Sequence, residues 1–238
     1  MGNKVRLLST ASLGNKIIDD AEGAGVMMDV IPFIKSSAIF TEGLGEEIKA
    51  LCDEPLTVVF TSVNAIYALG ANMQQGQPLW KIYCIGHATK SAALDYFKEE
   101  DIRGTGNDAA GLAQVIKEAQ IKEVIFFCGD KRMDTLPLLL RNAGIEVKEI
   151  IVYTTEATPC EVSSAYDGIL FFSPSAAESF FSVNSIPGDT VLFAIGSTTA
   201  NVIKKHCDNY VWAGDNPSKE LLVQESINYF HTKNYKKA

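Results

Sequence analysis

The chain has 238 residues, 47% of them hydrophobic and 21% charged, proportions that suit one large or two small globular domains and exclude disordered and fibrous classes. A formal net charge of −8, with no basic stripe interleaved with aromatics, argues against a nucleic-acid partner, and no apolar run reaches the ~18 residues a membrane span needs. The first apolar segment is too short for a secretory signal, and the scattered Cys52, Cys84, Cys128, Cys160 and Cys207 form neither a CxxC pair nor a disulfide framework, so a reducing, cytoplasmic setting is expected.

Along the chain, strand-length runs rich in Val, Ile and Phe fall at 5–8, 57–61, 81–85, 123–128, 146–153, 168–172 and 190–195. Helical patterns fall between or after them at 62–71, 88–99, 109–119, 135–142, 175–184, 198–205 and 218–229. The alternation predicts an α/β fold with parallel sheets flanked by crossover helices.

One strand-turn-helix pattern occurs twice. Val58-Val59-Phe60-Thr61-Ser62-Val63-Asn64-Ala65 is followed by Tyr83-Cys84-Ile85-Gly86-His87-Ala88-Thr89. Leu170-Phe171-Phe172-Ser173-Pro174-Ser175-Ala176 is followed by Phe193-Ala194-Ile195-Gly196-Ser197-Thr198-Thr199-Ala200. Two similar α/β halves explain the pair economically, although such turns favour Ser, Thr, Asn and Gly in any protein. Two extended segments, 29–34 and 150–155, lie outside the repeats and predict antiparallel crossings that form a hinge. One domain is then discontinuous, 1–34 with 157–238, and 35–156 forms the other together with the returning strand.

Helices that follow parallel strands begin at one edge of the sheet, where free backbone N–H groups attract anions. Here Thr61, Ser62, Asn64, Thr89, Ser173, Ser175, Ser197, Thr198 and Thr199 stand at those turns, either as helix caps or as neutral donors to a ligand. A cleft lined from both halves would suit a ligand bearing several carboxylates. Neither GxGxxG nor GxxxxGK[ST] occurs, and Gly104-Thr105-Gly106 reads as an ordinary loop.

At these positions the chain resembles the uroporphyrinogen-III synthase family. The resemblance covers most of the chain and rests on Phe60-Thr61-Ser62-Val63-Asn64-Ala65, Ile85-Gly86-His87-Ala88-Thr89, Leu136-Pro137-Leu138-Leu139-Leu140, Gly144-Ile145-Glu146-Val147, Val152-Tyr153-Thr154-Thr155, Phe172-Ser173-Pro174-Ser175-Ala176 and Ala194-Ile195-Gly196-Ser197-Thr198-Thr199-Ala200. It implies two flavodoxin-like domains joined by a two-stranded β hinge that lets them open and close. It also implies a cyclising lyase of tetrapyrrole and haem biosynthesis, which closes hydroxymethylbilane with loss of water and inversion of ring D. No cofactor or metal is implied. The partners implied are the linear tetrapyrrole substrate and, transiently, the preceding bilane-forming enzyme, for a cytoplasmic monomer.

The resemblance makes Tyr153 the residue that assists departure of the hydroxyl. The other reading of Tyr153 is a strand tyrosine packed at a domain junction. Substrate binding is implied for Ser62, Asn64, Ala65, Thr89, Ser173, Ser175, Ala176, Ser197, Thr198 and Thr199. His87 follows Gly86 at a rim turn, as a proton carrier or a solvated or capping residue. Cys128 reads as a buried thiol, and Lys131 and Arg132 either meet a carboxylate or stay solvated. Many family members carry Thr-Arg-Pro after the first strand; Leu8-Ser9-Thr10-Ala11-Ser12 has no arginine there, and Cys128-Gly129-Asp130 lacks the arginine often found before the glycine. Two competing functions share the architecture: a two-domain cleft protein that binds a polycarboxylate without turnover, and a flavodoxin-like regulatory module.

Overall fold

Residues 4–73, 78–86, 88–214 and 218–232 are described by the structure, a computed structural model. The chain opens with β1 (Arg6–Ser9), α1 (Asn15–Gly23), β2 (Met27–Val30), β3 (Ile34–Ala38) and α2 (Glu42–Cys52). It continues through β4 (Thr57–Phe60), α3 (Val63–Asn72), β5 (Lys81–Ile85), α4 (Ala88–Leu94), β6 (Ile102–Gly106), α5 (Ala109–Glu118), β7 (Glu123–Gly129), α6 (Thr135–Asn142) and β8 (Glu146–Ala157). The last elements are β9 (Gly168–Phe171), α7 (Pro174–Phe181), β10 (Val191–Ala194), α8 (Ser197–Ile203), β11 (Val211–Ala213) and α9 (Lys219–Thr232).

Contacts divide the chain into two compact units, Met1–Lys35 with Glu156–Ala238, and Ser36–Thr155. The first holds the sheet β11-β10-β9-β1-β2, whose paired strands are all parallel. The second is built on the sheet β3-β8-β7-β4-β5-β6, parallel from β8 to β6. Counted from β4, the parallel strands of the second sheet lie in the order 3-2-1-4-5. Counted from β9 and continued through the N-terminal strands, the first sheet has the same order. The chain therefore contains one doubly wound topology twice, entered at different strands. Ser62 and Ser173 follow the equivalent first strands, and Gly86 and Gly196 the equivalent second strands.

Burial explains why these segments are strands. In β4, Val58 and Phe60 face α2, α3 and α4, while Val59 faces α5 and α6, so both sides are apolar, as a covered parallel strand requires. Phe60 stacks on Phe127 with centroids 5.6 Å apart, and Trp80 lies 5.6 Å from Phe127, a cluster beneath the ends of β4 and β7. The other unit is covered likewise: α7 and α8 pack on one face through Ala176, Ala177, Phe180, Ala200 and Ile203, and α9 packs on the opposite face through Leu222, Val223, Ile227 and Phe230.

The segment 29–34 is not one extended run. β2 ends at Val30 and β3 begins at Ile34, because Pro32 has no N–H for a ladder. Beyond that break the chain pairs with the end of β8: Thr158 N donates to Phe33 O and Ile39 N to Val152 O, each at 2.9 Å, and partner numbers change in opposite directions, so the ladder is antiparallel. The loop expected at Gly104-Thr105-Gly106 is instead the end of β6. A Cβ on Gly104 would lie 2.7 Å from the Val115 side chain and 2.9 Å from that of Tyr83, and one on Gly106 would meet the backbone of Leu112, so the glycines let α5 approach the strand. Among the described residues no helix is long and apolar enough to cross a membrane.

Candidate functional site

In a doubly wound sheet, connections from the first and fourth strands depart in opposite directions and leave a crevice beyond their carboxyl ends. In Ser36–Thr155 those strands are β4 and β7, which end at Phe60 and Gly129. β8, beside β7, brings Tyr153 to the same place through a register shift: Cys128 pairs with Ile151 and Gly129 with Tyr153, leaving Val152 as an extra residue. Ile150 and Val152 pack on the α3 side of the sheet, so regular alternation would send Tyr153 to the α5–α6 side. The bulge turns it back, and its half-buried ring packs on the core beneath α3.

There the Tyr153 hydroxyl donates to Ser62 Oγ at 3.2 Å. Ser62 caps α3, its Oγ also accepting from Asn64 N at 3.1 Å, so both lone pairs are occupied and its proton stays available for a ligand oxygen. Asn64 Nδ2 donates to Ser36 Oγ at 3.1 Å, and Ser36 Oγ lies 3.4 Å from Thr155 Oγ1. Asp130 ties the adjacent loop to β8: its N–H donates to Tyr153 O at 3.1 Å, and its Oδ1 accepts from Thr155 N at 2.8 Å. Ser36, Ser37, Ala38, Asn64, Tyr67, Ala68 and Tyr153 line a concavity of about 170 Å³. Burial pushes the Tyr153 phenol above its ordinary value of 10; Ser62 opposes this, and Cys128 and Asp130 add to it. The phenol therefore stays protonated at neutral pH.

Of the residues expected here, Tyr153 and Asn64 line the concavity and Ser62 bonds to Tyr153. Ala65 and Thr89 are buried in the first turns of α3 and α4. In the other unit Ser173 caps α7 by accepting from Ala176 N at 3.1 Å, Ser175 is partly exposed in the first turn, and Ala176 is buried. Ser197 and Thr198 are exposed at the start of α8, whose cap, Gly196, makes no side-chain bond, while Thr199 is buried. His87 lies outside the described residues.

Arg132 is not free to meet an anion, because it pairs with Glu149 and Asp134, and Glu149 also binds Arg141 at 2.6 Å. Lys131 is exposed beside it. Burial, with Glu149 adding to it and Arg132 opposing, pushes the Cys128 thiol up to about 11, so it stays protonated. Among the described residues no three His, Cys, Asp or Glu side chains are placed to hold a metal ion.

Sequence patterns missed Ser36, Ser37 and Tyr67, although Tyr67 and Ala68 lie three and four positions after Asn64, the spacing of one helix face. They also missed Lys219. In the unit that holds β1 and β9, also a fourth and a first strand, Lys219 Nζ donates to Ser12 O at 2.9 Å and lies 5.7 Å from the centre of the Phe172 ring. This cation starts α9, where the helix dipole opposes it, and burial lowers its pKa against the pull of Glu220. Thr10, after β1, is committed to structure: fully buried, it donates to Leu170 O at 2.8 Å.

A family model described as uroporphyrinogen-III synthase HemD matches residues 15–224. Among solved structures, uroporphyrinogen-III synthetase from Helicobacter pylori superposes with a TM-score of 0.64 at 16% identity, covering 94% of this chain and 99% of the other. A selenomethionine mutant of uroporphyrinogen III synthase from the extremely thermophilic bacterium Thermus thermophilus gives 0.62 at 14% identity, covering 96% and 99%. At such identities these two likenesses speak for the fold.

Proposed function

The chain belongs to the uroporphyrinogen-III synthase family, and from that premise we propose that ring closure of hydroxymethylbilane is carried out at the Ser62–Tyr153 rim. The observation that carries this reading is the Tyr153 hydroxyl resting on Ser62 Oγ at the crevice between β4 and β7. Rotation about the Cζ–Oη bond turns the phenol proton from Ser62 toward the terminal hydroxyl of the bilane. That oxygen leaves as water while the pyrrole nitrogen supplies electrons to the methylene carbon, giving the N-protonated azafulvene, a cation beside the tyrosinate. Attack by the substituted carbon of the last pyrrole on that methylene forms the spiro intermediate. The bond from this carbon to its original bridge then breaks, the free α-carbon of the same ring attacks the released bridge methylene to close the macrocycle, and the α-proton lost on rearomatisation restores the phenol.

The substrate is a polyanion, because its carboxyl groups titrate near about 4. Neutral donors suit such a ligand: one unit offers the spare Ser62 proton and the first-turn N–H groups of α3 and α4, and the other, taken by itself, offers the starts of α7 and α8 and the Lys219 cation. A concavity of about 170 Å³ is below the ~300 Å³ of a pocket that encloses a whole ligand, so it takes a single ring or one carboxylate arm. Holding the two ends of a flexible bilane together contributes to the rate by proximity. Free thiols and acidic composition suit a cytoplasmic protein, taken here as a monomer that receives the bilane from the enzyme that makes it.

The test couples a bilane-forming enzyme to this protein and separates the type I and type III rings. Type III product supports the reading, whereas type I alone, with tight bilane binding, would favour the cleft-type binding protein.

A further inference from the structure

We propose that Gly129 is a positioning residue for Tyr153, the missing side chain of the one being the seat of the other's ring. The proposal rests on the reading of Tyr153 as the proton donor. Along β7 the side chains alternate between sheet faces, Ile125 and Phe127 packing under α3 and Phe126 and Cys128 under α5 and α6. Gly129 therefore points to the α3 side. Its register partner is Tyr153, which the bulge at Val152 turns to that same side. A Cβ on Gly129 would lie 2.6 Å from Tyr153 Cε2 and 2.8 Å from Oη, and closer still to Cζ. Real Cβ atoms do not come so near, so one group must move.

The backbone does not ask for glycine here. Gly25 and Gly144 have positive φ, at 78° and 76°, and Gly129 is not among the positive-φ glycines. Gly129 is also buried, with Asp130 bonded through N–H to Tyr153 O and through Oδ1 to Thr155 N, so the strand end cannot easily swing aside. The ring is the freer partner, and its displacement carries Oη away from Ser62. The bulge aims the tyrosine, the glycine makes room for it, and Ser62 holds its tip.

The experiment is a cycle of Gly129→Ala, Tyr153→Phe and the double variant, with kcat and KM from the coupled assay and a titration of ¹³Cζ-tyrosine resonances, Tyr153 being assigned by its loss in Tyr153→Phe. Gly129→Ala is expected to lower kcat on the order of 10- to 100-fold with KM within about twofold, and the double variant to match Tyr153→Phe alone. The Tyr153 resonance should titrate closer to 10 than in the parent. An unmoved titration, or a double variant carrying the product of both losses, would overturn the positioning role. A Tyr153→Phe enzyme as fast as the parent is a separate outcome that removes the acid reading beneath it. Should Gly129→Ala fail to fold, recovery of folding in Gly129→Ala/Tyr153→Ala supports the steric pairing, and failure of both overturns it.

Discussion

Tyr153 and Ser62, 91 positions apart in the chain, are joined by a hydrogen bond of 3.2 Å in which the phenol donates and the serine accepts. The same serine oxygen caps α3, so the helix start and the Tyr153 hydroxyl share one acceptor atom. Ser62→Ala should cost about 1 kcal/mol of stability through the lost cap and lower kcat about fivefold through a less fixed phenol. Urea unfolding and steady-state kinetics measure the two effects, and unchanged kcat would separate the cap from the catalysis.

The phenol of Tyr153 is raised above 10, chiefly by burial. It is the protonated form that donates, so activity governed by this group holds through neutral pH and falls only as pH climbs past the ordinary tyrosine value. A kcat profile should show this alkaline limb in the parent and lose it in Tyr153→Phe. A limb shared by both proteins would belong to another group.

Lys219 is partly desolvated at a rim, bonded to one carbonyl and set over one aromatic face. Lys219→Gln is expected to raise KM about three- to fivefold, roughly the 1 kcal/mol of an exposed ion pair, with kcat nearly unchanged. Lys219→Arg should keep the parental KM, and added salt should shrink the difference. Equal KM for the Gln variant at low salt would exclude a contact with a substrate carboxylate.

Much of the fold is legible because strands covered on both sides must be apolar throughout, as in Val58-Val59-Phe60 and Leu170-Phe171. Elements that lack this signature are not. β6 is Ile-Arg-Gly-Thr-Gly at the edge of its sheet, β11 has only three residues, and α2 carries Gly43 and Gly45, poor helix formers. The hydroxyls at helix starts are legible from their place after strands. The concavity beside Tyr153 is not, because it depends on a register shift of one residue and on Ser36 lying across a ladder from Thr155, 119 positions away.

Glu149 gathers Arg132, from the loop after β7, and Arg141 of α6. Burial penalises its charge, but bonds and charges from Arg141 and Arg132 outweigh that and hold the carboxyl below its usual 4.5. The stabilisation is thus present above that value and is lost as pH falls through the depressed native one. Glu149→Gln should cost about 1–2 kcal/mol at neutral pH in urea unfolding, and the deficit should shrink toward acid pH. A deficit independent of pH would assign the loss to shape rather than charge.

Protonation of the departing bilane hydroxyl by Tyr153, as proposed above, is read most directly from the rate of ring closure by Tyr153→Phe at saturating hydroxymethylbilane. That rate should fall on the order of 10- to 100-fold, with residual turnover, still type III, sustained by the folding of the bilane on the protein. Closure at the parental rate would contradict it.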